Sequence, residues 1–131
     1  MRAVRAKDTS PELSLRRELH GRGLRYRLHA KHLPGNPDIV FPGPRVAVFV
    51  DGDFWHGRVV EEEGEEGLRA QFRRNRSYWV PKILRTRERD RTATESLTQQ
   101  GWTVIRLWES DIKADLPGCA DRVTQAVRGE P

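Results

Sequence analysis

The stretch "DIVFPGPRVAVFVDGDFWHG", Asp38 to Gly57, decides how the chain folds. Asp38–Phe41 reads as a short apolar strand and "PGPR" as a turn. Val46–Val50, apolar at every position, reads as a strand buried on both faces and therefore central. If the turn pairs Phe41 with Val46, Asp38 faces Phe49. Asp51, two residues further on, then shares Asp38's face as a diagonal neighbour about 7–8 Å away. A slip of one residue would send Asp51 to the opposite face, so the turn sets the relation.

Working outward, "TSPELSLRRELHGRG" predicts a helix, with Ser10 as cap, Pro11 in the first turn and Glu12 at the positive end. Leu15 and Leu19 share one side, and Gly21 or Gly23 ends it. "LRYRL", Leu24 to Leu28, alternates like a half-buried strand. A long polar helix is expected from Pro81 to near Gly101, then a strand over Trp102–Trp108. Leu116, Ala120, Val123 and Val127 fall on one helical stripe and predict a last helix over 115–128. The order α-β-β-β-α-β-α gives an α/β sandwich round a central mixed sheet flanked by helices. With 131 residues, the chain suits a single domain, 1–131.

Hydrophobic residues make up 36% and charged residues 33%, which leaves a wet surface and a modest core. No run is apolar enough to span a membrane, and none follows the basic start as a signal peptide would. The one cysteine, Cys119, excludes an internal disulfide and a cysteine-built metal cage. A reduced, cytoplasmic protein is expected. The net charge of +5 is unevenly spread. Arg69–Arg91 holds nine basic residues against Glu88 and Asp90, and Met1–His32 holds nine against three acids. These stretches suit a phosphate-binding surface as well as they suit a solvated face. Met1, Arg2, Arg73 and Arg76 are their candidate DNA contacts. Glu61–Gly67, with five glutamates, reads as a solvated acidic loop.

Two carboxylates with a backbone carbonyl suit Mg²⁺, which keeps waters and shares phosphate ligands. Taken singly, Asp38 as a strand cap and Asp51 as the start of an "Asp-Gly" turn are the commoner uses. Beside a histidine and a basic surface, the metal reading draws level. His56 can exchange a proton near neutral pH. His20, His29 and His32 read as packing or surface residues. Phe54 and Trp55 are adjacent, so on an extended segment they point opposite ways. Either one fills the core while the other covers it, or they form a wedge that enters a base stack.

Five pieces carry a family resemblance: "MRAVRAKDTSPE", "LPGNPDIVFP", "FVDGDFWHG", "YWVPKI…RERD" and "GWTVIRLWE". In this order, over Met1 to Glu109, the chain resembles the very-short-patch repair (Vsr) endonucleases, which have the restriction-endonuclease-like, PD-(D/E)XK type of fold. The resemblance implies a Mg²⁺-dependent endonuclease that nicks duplex DNA beside a T:G mismatch, with repair-pathway proteins as partners and the nucleoid as its place. It makes Asp38 the carboxylate metal ligand, the Val50 carbonyl a backbone ligand, and His56 the catalytic histidine that acts on water. Glu12 holds metal-bound water. Asp51 stands where well-known members carry a second histidine and is expected as a further ligand. Phe54, Trp55 and Trp79 match the wedging aromatics, and Lys82 matches a residue that reads the mismatch.

The chain departs from the family at three places. The family's structural zinc positions read Asp53, Arg58, Val60 and Ser110, so no zinc is expected and other contacts must hold that region. The basic arm before the first helix is not seen, which implies a weaker grip on the DNA backbone. The stretch from His56 to Trp79 is longer, and Thr86 replaces a recognition asparagine. Two other readings therefore stand beside the mismatch nickase: a broader nuclease of the same fold, in defence or on modified DNA, and a DNA-binding domain without catalysis. A monomer is expected, because no long apolar stripe is left over.

Overall fold

The computed structural model describes residues 9–129; Met1 and Arg2 lie outside them. Helix α1 spans Ser10–Gly21, with Thr9 rather than Ser10 in the extended cap position and Pro11 in the first turn. Leu15 and Leu19 are fully buried. Gly23, at φ +87°, closes the helix. Its amide returns to the His20 carbonyl and that of Leu24 to the Leu19 carbonyl, at 3.0 and 3.1 Å, the paired bonds of a glycine C-terminus.

Strand β1 is only Arg27–Leu28, shorter than its alternation predicts, and both residues are exposed. It pairs antiparallel with β2, Ile39–Phe41. Strand β3, Val46–Asp51, pairs with β2 in the expected register, Phe41 opposite Val46. It runs parallel to β4, Thr103–Trp108. The sheet order is β1-β2-β3-β4, mixed and with β3 interior. The two faces of β3 feed different cores. Val46 and Val48 pack with Leu15, Leu19, Ile105 and Val123 under α1 and the last helix. Ala47 and Phe49 pack with Leu97 on the other side. That is why β3 is apolar from Val46 to Val50.

A parallel pair needs a crossover, and here it is a helical hairpin: α2, Arg58–Ala70, then α3, Arg76–Gln99. The acidic stretch 61–67 is thus not a loop but lies inside α2, broken only at Gly64 (φ +75°). Two physical reasons favour the helix. Leu68 is buried with Val80 and Ile83, with Val59 and Val60 packed against them. The pairs Arg58–Glu62 and Arg69–Glu65 bond at i,i+4 spacing on the wet face. Helix α3 starts five residues before Pro81, which sits inside it. Proline forgoes one helical hydrogen bond there, while the burial of Val80 and Ile83 against Leu68 holds the turn. After β4 come a short α4, Glu109–Ala114, which the sequence did not announce, and α5, Leu116–Arg128. Asp115 caps α5 by accepting the Gly118 amide at 3.0 Å.

Candidate active site at the mouth of β2 and β3

Asp38 immediately precedes β2. Its amide donates to the Val48 carbonyl at 3.0 Å, and its Oδ2 accepts the Val50 amide at 2.7 Å. The carboxylate is therefore aimed by the β2–β3 ladder itself. Asp38, Val50, Asp51 and His56 line one cavity of about 400 Å³, together with His29 and Asp90. The hairpin register thus does bring the two aspartates to a common space.

Around that cavity the titratable groups form two triads, in each of which the atoms that could ligate a metal lie within 4.8 Å of one another. Glu12, His29 and Asp38 make the first; Asp51, His56 and Asp90 make the second. The structure groups Asp51 with His56 rather than with Asp38. Both Asp51 oxygens accept from Arg106 Nη1, at 3.0 and 3.1 Å. Arg106 lies over the Phe49 ring at 4.0 Å and also donates to the Asp90 carbonyl. His56 Nδ1 lies 2.6 Å from Asp90 Oδ2 and 3.7 Å from Asp51 Oδ1. A carboxylate only accepts, so Nδ1 carries the proton and Nε2 keeps its lone pair when the ring is neutral.

The charges in the cavity are perturbed. Burial pushes the Asp38 carboxyl up to about 7; the Val50 amide pulls the other way, and the negative charges of Glu12 and Asp51 add to the rise. Burial also raises Asp51, in spite of Arg106. For His56, burial works to lower the pKa, but the Asp90 hydrogen bond and the Asp51 charge outweigh it, so the ring protonates more readily than usual. Glu12, with a side chain only 2% exposed, is ion-paired with Arg16. Two carboxylates and an imidazole, with negative charge crowded in a half-buried space, fit a divalent cation.

The segment after β3 is a turn, not extended chain. The His56 amide donates to the Gly52 carbonyl and the Arg58 amide to the Asp53 carbonyl, both at 3.0 Å. Phe54 and Trp55 therefore do not point apart; their rings meet edge to face at 5.0 Å. Trp79 joins both, at 5.6 and 5.5 Å, and Phe72 stacks on Trp79 at 6.2 Å. Lys82 places its ammonium 5.9 Å from the Trp55 ring centre. Arg73, three residues before α3, and Arg76, its first residue, are exposed near this cluster's Phe72, to whose carbonyl Arg76 donates. A hydrogen-bonded clasp ties the turn to α4. Asp53 accepts from the Ser110 amide and hydroxyl. Arg58 donates to Ser110 and Asp111 at 2.7 and 3.0 Å. Val60 is not part of it; it packs on the α2–α3 core.

Sequence reasoning missed His29, Asp90 and Arg106. Asp90 lay in the "RERD" piece but 34 residues from His56, and no spacing rule joins them. His29 reads in the sequence as a packing or surface residue.

Comparison with known proteins gives the family. Residues 1–62 match the family model "DNA mismatch endonuclease Vsr". The chain is 41% identical over 128 residues to "Type II nicking enzyme V.NmeDIP" of Neisseria meningitidis serogroup C, covering 98% of this chain and 83% of that one. It is 44% identical over 114 residues to "Type II nicking enzyme V.XorIIP" of Xanthomonas oryzae pv. oryzae, covering 86% and 78%. It is 34% identical over 113 residues to "DNA mismatch endonuclease Vsr" of Escherichia coli K12, covering 86% and 69%. The paired carboxylates at the mouth of β2 and β3 thus sit in a chain that belongs to the Vsr family of DNA endonucleases.

Proposed function

We propose that the chain nicks one strand of duplex DNA next to a T:G mismatch, with Mg²⁺ as cofactor. The observation that carries this reading is the position of His56: bonded to Asp90 on one side, it shares a cavity with Asp38 and leads straight from the Phe54–Trp55 pair. A divalent ion held by Asp38 and the Val50 carbonyl would supply charge neutralisation at the phosphate. Asp90 holds His56 in the tautomer whose Nε2 can take a proton from the attacking water. Asp51 works through His56, since Arg106 already takes its oxygens. Glu12 orders water beside Asp38.

Phe54, Trp55 and Trp79 form a ready-made stacking surface, and Phe54 is 38% exposed. A T:G pair yields to such a wedge more easily than a matched pair, so insertion cost becomes discrimination. Lys82, Arg73 and Arg76 flank it as phosphate and base contacts. The names of the relatives, which are nicking and mismatch endonucleases, support both parts of the proposal. No zinc is assigned; the Asp53–Arg58–Ser110 clasp occupies the corresponding region. Among the described residues, no helix is long and apolar enough to cross a membrane; we place the enzyme on cytoplasmic DNA as a monomer.

The test uses labelled duplexes, matched and carrying each mismatch, with Mg²⁺ or with EDTA. A single ion-dependent nick beside the T of T:G is expected. Equal cutting of matched DNA would favour the broader nuclease, and a gel shift without cutting would leave only a binding domain.

A further inference from the structure

We infer that His29 is a third protein ligand of the divalent ion at Asp38, its Nε2 held in the accepting tautomer by Arg16 until the ion displaces the guanidinium. The inference rests on the reading that this cavity holds a divalent ion, and it adds a residue to that site.

The backbone brings His29 there. Its amide donates to the Asp38 carbonyl at 3.1 Å, one step beyond the β1–β2 ladder. Its φ is +49°, in the left-handed region that non-glycine residues enter at a cost. The result is an imidazole whose ligating nitrogen comes within 4.8 Å of carboxylate oxygens of both Asp38 and Glu12.

The hydrogen bonding sets which ring nitrogen could serve as the ligand. Here Arg16 Nη2 lies 3.0 Å from His29 Nε2. A guanidinium can only donate, so Nε2 is the accepting nitrogen; its lone pair faces Arg16, which a bound ion would have to displace. The same Nη2 is ion-paired with Glu12 Oε2, which is 3.7 Å from His29 Nε2. One monocation thus spans two of the three donor groups. Arg16 stands in for part of the charge that a divalent ion would bring, and ion and guanidinium compete for Glu12 and Nε2. An imidazole donor also moves the preference of a carboxylate site from Mg²⁺ toward transition ions.

Mn²⁺ tests this without reference to cleavage. Binding to the full chain is followed by calorimetry, and nitrogen coupling to the bound ion by pulsed electron paramagnetic resonance. Wild type is expected to bind Mn²⁺ and to show nitrogen coupling. His29→Ala and His29→Gln should lose the coupling and bind roughly tenfold more weakly, whereas His56→Ala should keep it. Arg16→Met should bind Mn²⁺ several-fold more tightly than wild type. Having two His29 replacements separates loss of a ligand from loss of fold, which circular dichroism reports. Mn²⁺ bound without nitrogen coupling, or coupling that survives in both His29 variants, overturns the His29 assignment and leaves the ion site standing. No Mn²⁺ binding by folded wild type overturns the ion site itself.

Discussion

His56 Nδ1 and Asp90 Oδ2 lie 2.6 Å apart across 34 residues of sequence, joining the turn after β3 to the middle of α3. The pair fixes the imidazole's tautomer and direction. Asp90→Asn can offer Nδ1 either an amide oxygen or an NH₂, so the ring loses its fixed orientation. Nicking should fall roughly tenfold to hundredfold in single-turnover assays, with His56→Ala losing at least as much. Adding Asp90→Asn to His56→Ala should cost little more, because the two act as a unit. Additive losses in the double variant would show that Asp90 works independently of His56.

Asp38 makes the ion-free protein sensitive to pH. Its carboxyl rises from 3.8 to about 7 on folding, burial being the main cause. A raised pKa means that the folded state holds the proton more tightly than the unfolded one. The stabilisation is complete below the unfolded value and is lost as pH rises through about 7. In EDTA, wild type should therefore lose stability relative to Asp38→Asn across that window. Saturating divalent ion should reverse the difference at the alkaline side, since it needs the ionised carboxylate. Urea midpoints of both proteins, below and above the window, measure this; a constant gap would contradict it.

Gly57 follows His56 at φ +67°, and a Cβ there would meet Ile83 Cγ2 at 2.7 Å. Its carbonyl and that of His56 each accept from Arg87 Nη1 at 3.1 Å. Gly57→Ala should cost about 1–2 kcal/mol for the left-handed conformation alone, with the overlap on top. Nicking should fall with stability, because Ile83 and Arg87 set the position of the His56 backbone. Chemical denaturation and nicking rates on one preparation read both effects.

The clasp from Asp53 to Ser110 closes the turn that carries the aromatics. Asp53→Ala removes the acceptor of two Ser110 donors and should lower Tm by several degrees, with faster proteolysis near residues 52–58. Asp53→Asn keeps one acceptor and should fall between. A Tm unchanged in Asp53→Ala would leave the clasp without a stabilising role.

Trp55 touches Phe54 and Trp79, so truncation opens the stacking surface. A base–aromatic stack contributes about 1–3 kcal/mol. Trp55→Ala should lower the T:G-over-matched binding ratio about tenfold or more, while affinity for matched duplex changes less. Equal losses on both duplexes would remove Trp55 from mismatch sensing.

Much of the frame was legible in one dimension. Two-residue periodicity and a four-residue turn fixed the β2–β3 pairing, and with it the meeting of Asp38 and Asp51 at one cavity. The apolar run of β3 announced a strand covered on both faces. The acidic stretch misled because composition registers its charge, while the burial of Leu68 that folds it into α2 depends on a partner helix not yet in place. Phe54 and Trp55 misled likewise: strand alternation assumes extended backbone, and hydrogen bonds from His56 and Arg58 back to Gly52 and Asp53 curl the segment instead.

Local periodicity and turn chemistry were enough to establish strands β2 and β3, their mutual register and the convergence of Asp38 and Asp51 at their mouth. Who partners whom at that mouth is set by the packed chain alone. Asp90 reaches His56, Arg106 takes Asp51, and Arg16 spans Glu12 and His29. Apart from the pairing of Arg16 with Glu12 one helical turn away, these contacts join separate elements, and their distances exist only once β4 has paired with β3 and α1 and α3 have packed on the sheet.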